Sequence, residues 1–224
     1  MPAGKFITFE GGEGTGKSTQ ASRLADYLTA GGCDVLLTRE PGGSPFAETI
    51  RDLVLDPATP PHSPLSEALL FYAARADHLE RTIRPALERA TWVICDRFSD
   101  STRVYQGQDA GEHGGLPAAA FDALDRLVVH PAKPDLTFLL DLDAVVGLAR
   151  AEHRRVGSEP GPFVHADRYE SRTVQYHEKL RADFLVIARA EPRRCVVVDA
   201  FQSVDEIARD IRGHIDARFR GRSG

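Results

Sequence analysis

Residues 6–18 read Phe6-Ile7-Thr8-Phe9-Glu10-Gly11-Gly12-Glu13-Gly14-Thr15-Gly16-Lys17-Ser18, a short apolar run followed by a glycine-rich segment. The segment matches the pattern G-x-x-x-x-G-K-[ST] and lies between a predicted strand and a predicted helix. Its glycines let backbone N–H groups turn toward phosphate oxygens, while the helix directs its positive dipole end at the same anion. A plain glycine-rich turn could match by chance, but the flanking strand and helix argue against this. The stretch predicts a nucleoside triphosphate site.

Composition limits the class of protein. The chain has 224 residues and a formal net charge of −5, which fits one domain over residues 1–224 and argues against general nucleic-acid binding. No apolar run is long enough to span a membrane, and no secretory leader precedes the first strand. Three widely separated cysteines are typical of reduced thiols. We therefore expect a cytoplasmic protein.

Five apolar runs alternate with stretches of helical pattern. The predicted strands are residues 5–10, 34–38, 92–96, 136–141 and 195–199. The predicted helices are residues 17–30, 45–55, 64–90, 118–129, 144–155, 168–190 and 204–218. Strands joined through helices favour right-handed crossovers. We expect an α/β fold of the P-loop NTPase type, with three layers and a five-stranded parallel sheet flanked by helices.

Charged residues follow two further strands, at the sheet edge where such folds bind ligands. Arg39 precedes a tight Pro-Gly-Gly turn, and its guanidinium suits bidentate contact with a phosphate. A surface salt bridge is the alternative for Arg39, and its position at a strand end favours the phosphate. Asp96 could hold Mg²⁺ directly or through water, and the adjacent Arg97 could bridge two phosphates.

Phe71 and Arg75 lie four residues apart in a predicted helix, so they share one face. An aromatic ring that stacks on a base, beside a guanidinium that bonds the base edge, would form a nucleobase pocket. Spacing alone favours the ordinary alternative for Phe71, a residue of the hydrophobic core.

Five motifs in a fixed order resemble the thymidylate kinase family. They are residues 9–19, Thr38-Arg39-Glu40-Pro41-Gly42-Gly43, Phe71-Tyr72-Ala73-Ala74-Arg75, Asp96-Arg97-Phe98, and Ser101-Thr102 with Tyr105-Gln106-Gly107. The resemblance extends through residues 167–170 to Asp199-Ala200 and so covers essentially the whole chain. It implies a homodimeric nucleoside monophosphate kinase that uses Mg²⁺ and transfers a phosphoryl group from ATP to dTMP, giving dTDP and ADP for dTTP synthesis.

The resemblance also implies roles for individual residues. ATP would be bound by Gly11, Gly12, Glu13, Gly14, Thr15, Gly16, Lys17, Ser18 and Thr19. The residues for dTMP would be Glu13, Arg39, Phe71, Arg75, Arg97, Ser101, Thr102, Tyr105 and Gln106. Among these, Glu13, Lys17 and Arg97 would act in catalysis. Ser18 and Asp96 would hold the metal, and Tyr105 would crowd a ribose 2′-hydroxyl.

A lid is expected over about residues 150–168. Some family members carry a catalytic arginine in the phosphate loop, where this chain has Gly14; the resemblance is therefore to bacterial members that supply arginine from the lid. Arg150, Arg154, Arg155 and Arg168 are the candidates, and an inserted guanidinium would stabilise the charge of the transferring phosphoryl group. Arg168 is expected to act, and the choice between Arg154 and Arg155 stays open.

Two other functions were weighed. A deoxynucleoside kinase would share the architecture, but its acceptor has no phosphate for Arg39 to bind. A nucleotide-dependent switch or motor would need no second nucleotide pocket, and a GTPase-type switch would need an N-K-x-D segment, which the sequence lacks.

Overall fold

The computed structural model describes residues 4–107, 115–130, 132–156, 169 and 171–220. Five parallel strands form one sheet in the order β2-β3-β1-β4-β5. The strands are β1 (Phe6–Glu10), β2 (Val35–Arg39), β3 (Trp92–Asp96), β4 (Leu136–Asp141) and β5 (Cys195–Asp199). The predicted sheet is confirmed, and each strand end lies within one residue of its predicted place.

Helices connect and cover these strands. They are α1 (Lys17–Ala30), α2 (Pro45–Leu55), α3 (Pro64–His78), α4 (Arg84–Glu88), α5 (Ser99–Tyr105), α6 (Ala118–Val128), α7 (Ala144–Val156), α8 (Val174–Ala190) and α9 (Val204–Ile215). A π-helical turn, Leu79–Ile83, joins α3 to α4, and another, Asp216–Arg220, follows α9. In the described part of the chain, no helix is long and apolar enough to cross a membrane.

Two helix predictions need correction, and one helix was missed. The run predicted over 64–90 contains the π-helical turn and ends at Glu88, just before Ala90, which has a φ of 59°. The helix predicted over 168–190 begins at Val174, because the side chain of Thr173 caps it by accepting from the Tyr176 N–H; residues 168 and 170 lie outside the described residues. The short helix α5 was not predicted.

The central strands β1, β3 and β4 are buried almost throughout, which explains their continuous apolar sequences. Along β1, Ile7 and Phe9 point to a core shared with α1 and α9. Phe6 points to the opposite core, which includes residues of α3, α4 and α6. Cys95 and Cys195 are buried and Cys33 is half-buried.

The strand order places a topological switch point beside β1. The chain runs from β1 to one side of the sheet and then returns past it to β4 on the other side. Phe9 of β1 and Arg39 of β2 are both in register with Asp96 of β3. Ligands bind at such points, at the carboxyl ends of the strands, and the glycine-rich loop after β1 lies there.

Candidate active site

A cleft of about 290 Å³ lies at this carboxyl edge. The predicted residues that line it are Glu13, Gly14, Gly16, Lys17, Ser18, Thr19, Arg39, Phe71, Arg75, Asp96, Arg97, Ser101, Thr102, Tyr105, Gln106 and Arg154. Glu40, Pro41, Arg51, Leu55, Phe98 and Tyr169 also line it. The predicted phosphate loop and the predicted second site therefore face one cavity.

The loop between β1 and α1 packs so closely on α7 that residue 14 has no room for a side chain. Gly14 has a φ of 67°, and a Cβ on it would lie 1.9 Å from the backbone oxygen of Gly147. A Cβ on Gly147 would in turn lie 2.4 Å from the backbone oxygen of Glu13. An arginine at residue 14 would not fit this packing.

Lys17, the first residue of α1, is folded back onto the loop. Its Nζ atom donates to the Gly12 carbonyl at 2.6 Å and lies 3.4 Å from the Thr15 hydroxyl oxygen. Burial, together with the charge of Arg97, lowers the pKa of Lys17 to about 8. An anion at the helix N-terminus would favour the charged lysine, because it interacts well with both the ammonium group and the helix dipole.

Ser18 and Asp96 meet at the end of β3. The Ser18 hydroxyl donates to Oδ2 of Asp96, while Oδ1 is buried and has no hydrogen-bond partner in the described ranges. A buried oxygen without a hydrogen-bond partner is rare in proteins, and a bound ion would explain it. Hydroxyl and carboxylate oxygens suit Mg²⁺, which keeps waters and shares substrate phosphates, so the residues fit this ion. No group of three His, Cys, Asp or Glu side chains within the described residues could hold a metal alone.

Arg97 is held in a strained position at the centre of the cleft. Its φ of 68° is unfavourable for a residue with a side chain. The guanidinium donates to Oε1 of Glu13 at 2.6 Å and to the Gly11 carbonyl at 3.0 Å, and it lies over the ring of Tyr105. Burial opposes its charge, but Glu13 together with Tyr105, Asp96 and Glu10 outweighs burial and raises the pKa of Arg97 above its ordinary value. Arg97 is therefore a permanently charged group that touches the phosphate loop.

Arg75 forms the floor of the predicted base pocket and is 2% exposed. Its Nε donates to Glu40 at 2.7 Å and its Nη2 donates to the Thr102 hydroxyl at 2.8 Å. Its Nη1 is buried and has no partner among the residues the structure describes. Burial disfavours the charged guanidinium, but Glu40 together with Tyr72 and Asp125 outweighs it and raises the pKa of Arg75. The Nη1 amino group of a buried cation is thus left for a ligand.

Gln106 places a hydrogen-bond acceptor in the same pocket. Its amide nitrogen lies 3.2 Å from a Glu67 oxygen and 3.2 Å from the Tyr169 hydroxyl. Its amide oxygen is buried and has no partner within the described part of the chain. Phe71 also lines the cleft, although it belongs to the core cluster that includes α8. Phe71 thus has the core position that its spacing favoured and also faces the cleft, and its stacking on a base stays a prediction.

The remaining residues predicted for the second site divide into two groups. Ser101 donates to Glu10 at 2.5 Å and Thr102 accepts from Arg75, so both hydroxyls serve protein groups as well as facing the cleft. Arg39 lies at the rim and pairs with Glu48 at 3.0 Å, with its side chain about half exposed (54%). Arg39 has both environments that the sequence allowed, a salt bridge and the edge of the cleft.

The candidate lid arginines on α7 have different surroundings. Arg154 lines the cleft. Arg155 pairs with Glu152, and Arg150 donates to the Ala200 carbonyl at 2.9 Å. Arg168 and most of the predicted lid lie outside the described residues. Of these two arginines, Arg154 and not Arg155 therefore faces the cleft.

Sequence reasoning missed several residues that support the site. Glu10 accepts from the Phe98 N–H at 2.8 Å and from Ser101, and burial and nearby Asp100 raise the pKa of Glu10 to about 8. Glu40 holds Arg75, and Arg51 donates to the Pro41 carbonyl at 2.8 Å. Glu10 and Glu40 could have been predicted, because each is a charged residue at a strand end. Arg51 could not, because nothing in the sequence distinguishes it from other arginines on helices.

The chain was compared with protein families and known proteins. A family model described as thymidylate kinase matches residues 9–211. A thymidylate kinase of Caulobacter vibrioides is 54% identical over 207 residues, which are 92% of this chain and 93% of that protein. One from Nitrobacter winogradskyi is 48% identical over 205 residues, 92% of this chain and 85% of that protein.

A solved structure gives the same result. The crystal structure of a thymidylate kinase from Ehrlichia chaffeensis superposes with a TM-score of 0.72 at 32% identity, and the match covers 96% of this chain and 99% of that one. The resemblance first inferred from five motifs is confirmed. The chain belongs to the thymidylate kinase family.

Proposed function

We propose that the protein transfers the γ-phosphoryl group of ATP to dTMP, giving dTDP and ADP. The observation that carries the proposal is a cleft that is lined both by the phosphate loop and by two groups without partners in the described part of the chain, the donor Nη1 of Arg75 and the acceptor Oε1 of Gln106. Thymine offers a carbonyl acceptor at O4 and a donor at its ring N–H. Cytosine has an amino donor where thymine has O4, so it would face Arg75 donor to donor.

The loop residues would hold ATP. Residues 11–16 would turn their backbone N–H groups toward the phosphates, and Lys17 and Thr19 would complete the contacts at the start of α1. Lys17 would leave the Gly12 carbonyl for the more strongly charged phosphate oxygens. Ser18 and Asp96 would hold Mg²⁺, which when bound supplies positive charge to the phosphate groups.

On the acceptor side, Arg97 and Arg39 would bind the dTMP phosphate. Arg97 is already desolvated and charged beside the loop, so its electrostatic effect on a phosphate is stronger than in water. Glu13 holds Arg97 at one end and accepts from the Tyr105 hydroxyl at 2.8 Å. Phe71 would stack on thymine, while Ser101, Thr102, Tyr105 and Gln106 would line the nucleoside.

The transfer needs positioning more than proton chemistry. A phosphate oxygen of dTMP is ionised near neutral pH, so it can attack in line without a strong general base. Catalysis then comes from orientation and from cations fixed in place before the reaction. We assign that role to Lys17, Arg97 and a lid arginine. Arg154 is favoured because it alone of the α7 candidates lines the cleft in the described structure, and Arg168 remains a proposed second source.

We further propose a cytoplasmic homodimer whose subunit is one domain over residues 1–224. The helices α2 and α3 expose large apolar side chains: Phe46 (53%), Leu53 (44%), Leu65 (51%) and Leu69 (47%). Leu65 and Leu69 lie on one face of α3, as do Phe46 and Leu53 on α2. A second copy of the chain would cover this surface. Sedimentation equilibrium should give twice the mass of 24.5 kDa; a monomer at micromolar concentration would contradict this.

A coupled ADP-release assay tests the activity. MgATP is supplied with dTMP, thymidine, dCMP or no acceptor. We expect release with dTMP and at least about 100-fold less with dCMP, because a buried polar group left unpaired discriminates strongly. Release with thymidine but not dTMP would instead indicate a deoxynucleoside kinase, and acceptor-independent release would indicate a simple NTPase.

A further inference from the structure

Behind Arg75 lies a chain of buried hydrogen bonds that the cleft itself does not use. The Thr38 hydroxyl oxygen lies 2.8 Å from Nε2 of His78. Nδ1 of His78 lies 3.0 Å from Oε1 of Glu40, and Oε2 of Glu40 accepts from Nε of Arg75 at 2.7 Å. His78 is 0% exposed and Glu40 is 5% exposed. The chain ends at the Arg75 guanidinium, whose Nη1 has no partner among the described residues.

The geometry fixes both ends of the Glu40 carboxylate. Arg75 and His78 are three residues apart on α3, so they lie on one face and reach the same carboxylate. Each of them bonds a different oxygen of Glu40, so the carboxylate cannot rotate without losing a contact. Because Nε of Arg75 is tied to this carboxylate and the guanidinium is planar, the direction of Nη1 is tied to it as well.

The turn after β2 is shaped around this histidine. A Cβ on Gly43 would lie 2.2 Å from Nε2 of His78 and 2.5 Å from Oγ1 of Thr38. Gly43 therefore leaves room for the bond between these two side chains. A carboxylate accepts, so Nδ1–H of His78 donates to Glu40; in a neutral ring Nε2 then accepts, and the Thr38 hydroxyl donates to it.

We propose that His78 is a positioning residue for the choice of acceptor: it holds Glu40, and through Glu40 it aims the free N–H of Arg75 at the base. This inference rests on the proposed function, in which Arg75 reads thymine. His78 does not touch substrate. Thr38 completes the arrangement by selecting the ring tautomer that donates to Glu40.

Two substitutions separate this role from simple space filling. In His78→Asn the amide nitrogen takes the place of Nδ1 and can still donate to Glu40. In His78→Gln it takes the place of Nε2, so the contact with Glu40 is lost. Both remove the ring, and both therefore disturb packing. Thermal melting of each variant shows whether it is folded.

We expect His78→Gln to raise KM for dTMP about 10-fold, the low end of what a lost hydrogen bond to a charged group costs. Its preference for dTMP over dCMP should fall by a similar factor. KM for ATP and kcat should stay within about twofold, and His78→Asn should restore KM for dTMP toward the wild-type value. Equal values for both variants and wild type, or equal losses in both variants, would overturn the inference.

If His78→Gln does not fold, Thr38→Val decides, since it keeps the side-chain volume and removes only the hydroxyl. We expect a roughly threefold rise in KM for dTMP with KM for ATP unchanged; an unchanged KM for dTMP would overturn the inference. The wild-type protein distinguishes a failure of the proposed function from a failure of the role of His78. If it releases no ADP with dTMP, the proposed function fails, whereas an active wild type with indifferent variants refutes only the role of His78.

Discussion

Glu13 and Arg97 meet at a single carboxylate oxygen: Nη2 of Arg97 lies 2.6 Å from Oε1 of Glu13. The hydroxyl of Tyr105 donates to the same oxygen from 2.8 Å. The phosphate loop, the end of β3 and the helix α5 are therefore joined at one point. All three residues line the cleft.

The pair predicts a pH-dependent contribution to stability. Burial would raise the pKa of Glu13, but the charges of Arg97 and Lys17 outweigh it and lower this pKa to about 2 from the ordinary 4.5. A lowered carboxylate pKa stabilises the fold above the unfolded value, and this stabilisation is lost as the pH falls from about 4.5 toward 2. Glu13→Gln should lower the free energy of unfolding at pH 7 by about 3 kcal/mol.

Urea unfolding of wild type and Glu13→Gln between about pH 3.5 and pH 7 checks this prediction. The difference between the two proteins should shrink below about pH 4.5, because the unfolded wild-type chain then binds a proton at Glu13 that the folded protein does not bind. A difference that stays constant over the whole range would show that Glu13 stabilises the fold by its shape alone.

Lys17 predicts a pH dependence of the opposite kind. Because burial and Arg97 lower its pKa to about 8, it loses its proton as the pH rises through about 8, and with the proton goes its attraction for phosphate. The affinity of the free protein for a non-hydrolysable ATP analogue should therefore fall above about pH 8. Lys17→Arg keeps its charge, so its affinity, even if weaker, should stay level to about pH 9.5. Calorimetric titrations at several pH values measure the affinity of both proteins for the analogue. If the affinities of wild type and Lys17→Arg changed with pH in the same way, the pH dependence would not come from Lys17.

Arg75 should decide between bases. Arg75→Gln is expected to raise KM for dTMP by about 10- to 100-fold and to reduce discrimination against dCMP, with KM for ATP nearly unchanged. Arg81→Ala is a suitable control, because this exposed arginine lies one turn beyond α3 and pairs only with Asp77 among the contacts described. Initial rates with each nucleotide measure the effect. Unchanged discrimination in Arg75→Gln would remove this residue from the base pocket.

The Ser18–Asp96 contact predicts the metal dependence of the reaction. Ser18→Ala and Asp96→Asn should raise the Mg²⁺ concentration needed for half-maximal rate by roughly 10-fold or more, since each removes an oxygen that would face the ion. Ser66→Ala is the matched control, because Ser66 is exposed and bonds Ser63. Magnesium titrations at fixed ATP provide the measurement. Identical titrations for all four proteins would exclude these two residues as the metal site.

The two arginines at the end of α7 allow a direct comparison. Arg154 lines the cleft, whereas Arg155 pairs with Glu152. Arg154→Ala should lower kcat by about 1,000-fold, the lower end of what an arginine contributes to phosphoryl transfer, and Arg155→Ala should lower it much less. Single-turnover rates are the appropriate measurement, because they isolate the chemical step. The reverse order would place Arg155 in the site.

The strands and most helices were predictable because local sequence determines them. The parallel sheet follows from continuous apolar runs, and the phosphate loop follows from glycines whose backbone conformation few other residues adopt. The short helix α5 was not predictable in this way. Its Phe98 N–H and Ser101 hydroxyl are satisfied by Glu10, about 90 residues earlier in the chain, and no local pattern carries that information.

The residues of the site also divide into those that local sequence predicts and those that it does not. Arg39, Asp96 and Arg97 were found because they follow strands, and strand ends converge at one edge of a parallel sheet. The pairing of Arg75 with Glu40 and His78 joins a helix to a strand end across about 35 residues. Such pairings depend on how α3 packs against β2, which hydrophobic spacing alone does not specify.

Transfer of labelled phosphate tests the central claim most directly. Wild-type protein is incubated with γ-labelled ATP and dTMP, and the nucleotides are separated. The account predicts label in dTDP, in amounts equal to the ADP formed, and at least about 100-fold less labelled diphosphate when dCMP replaces dTMP at the same concentration. Label that appears in inorganic phosphate whether or not dTMP is present would contradict it, because the cleft would then bind ATP without an acceptor beside it.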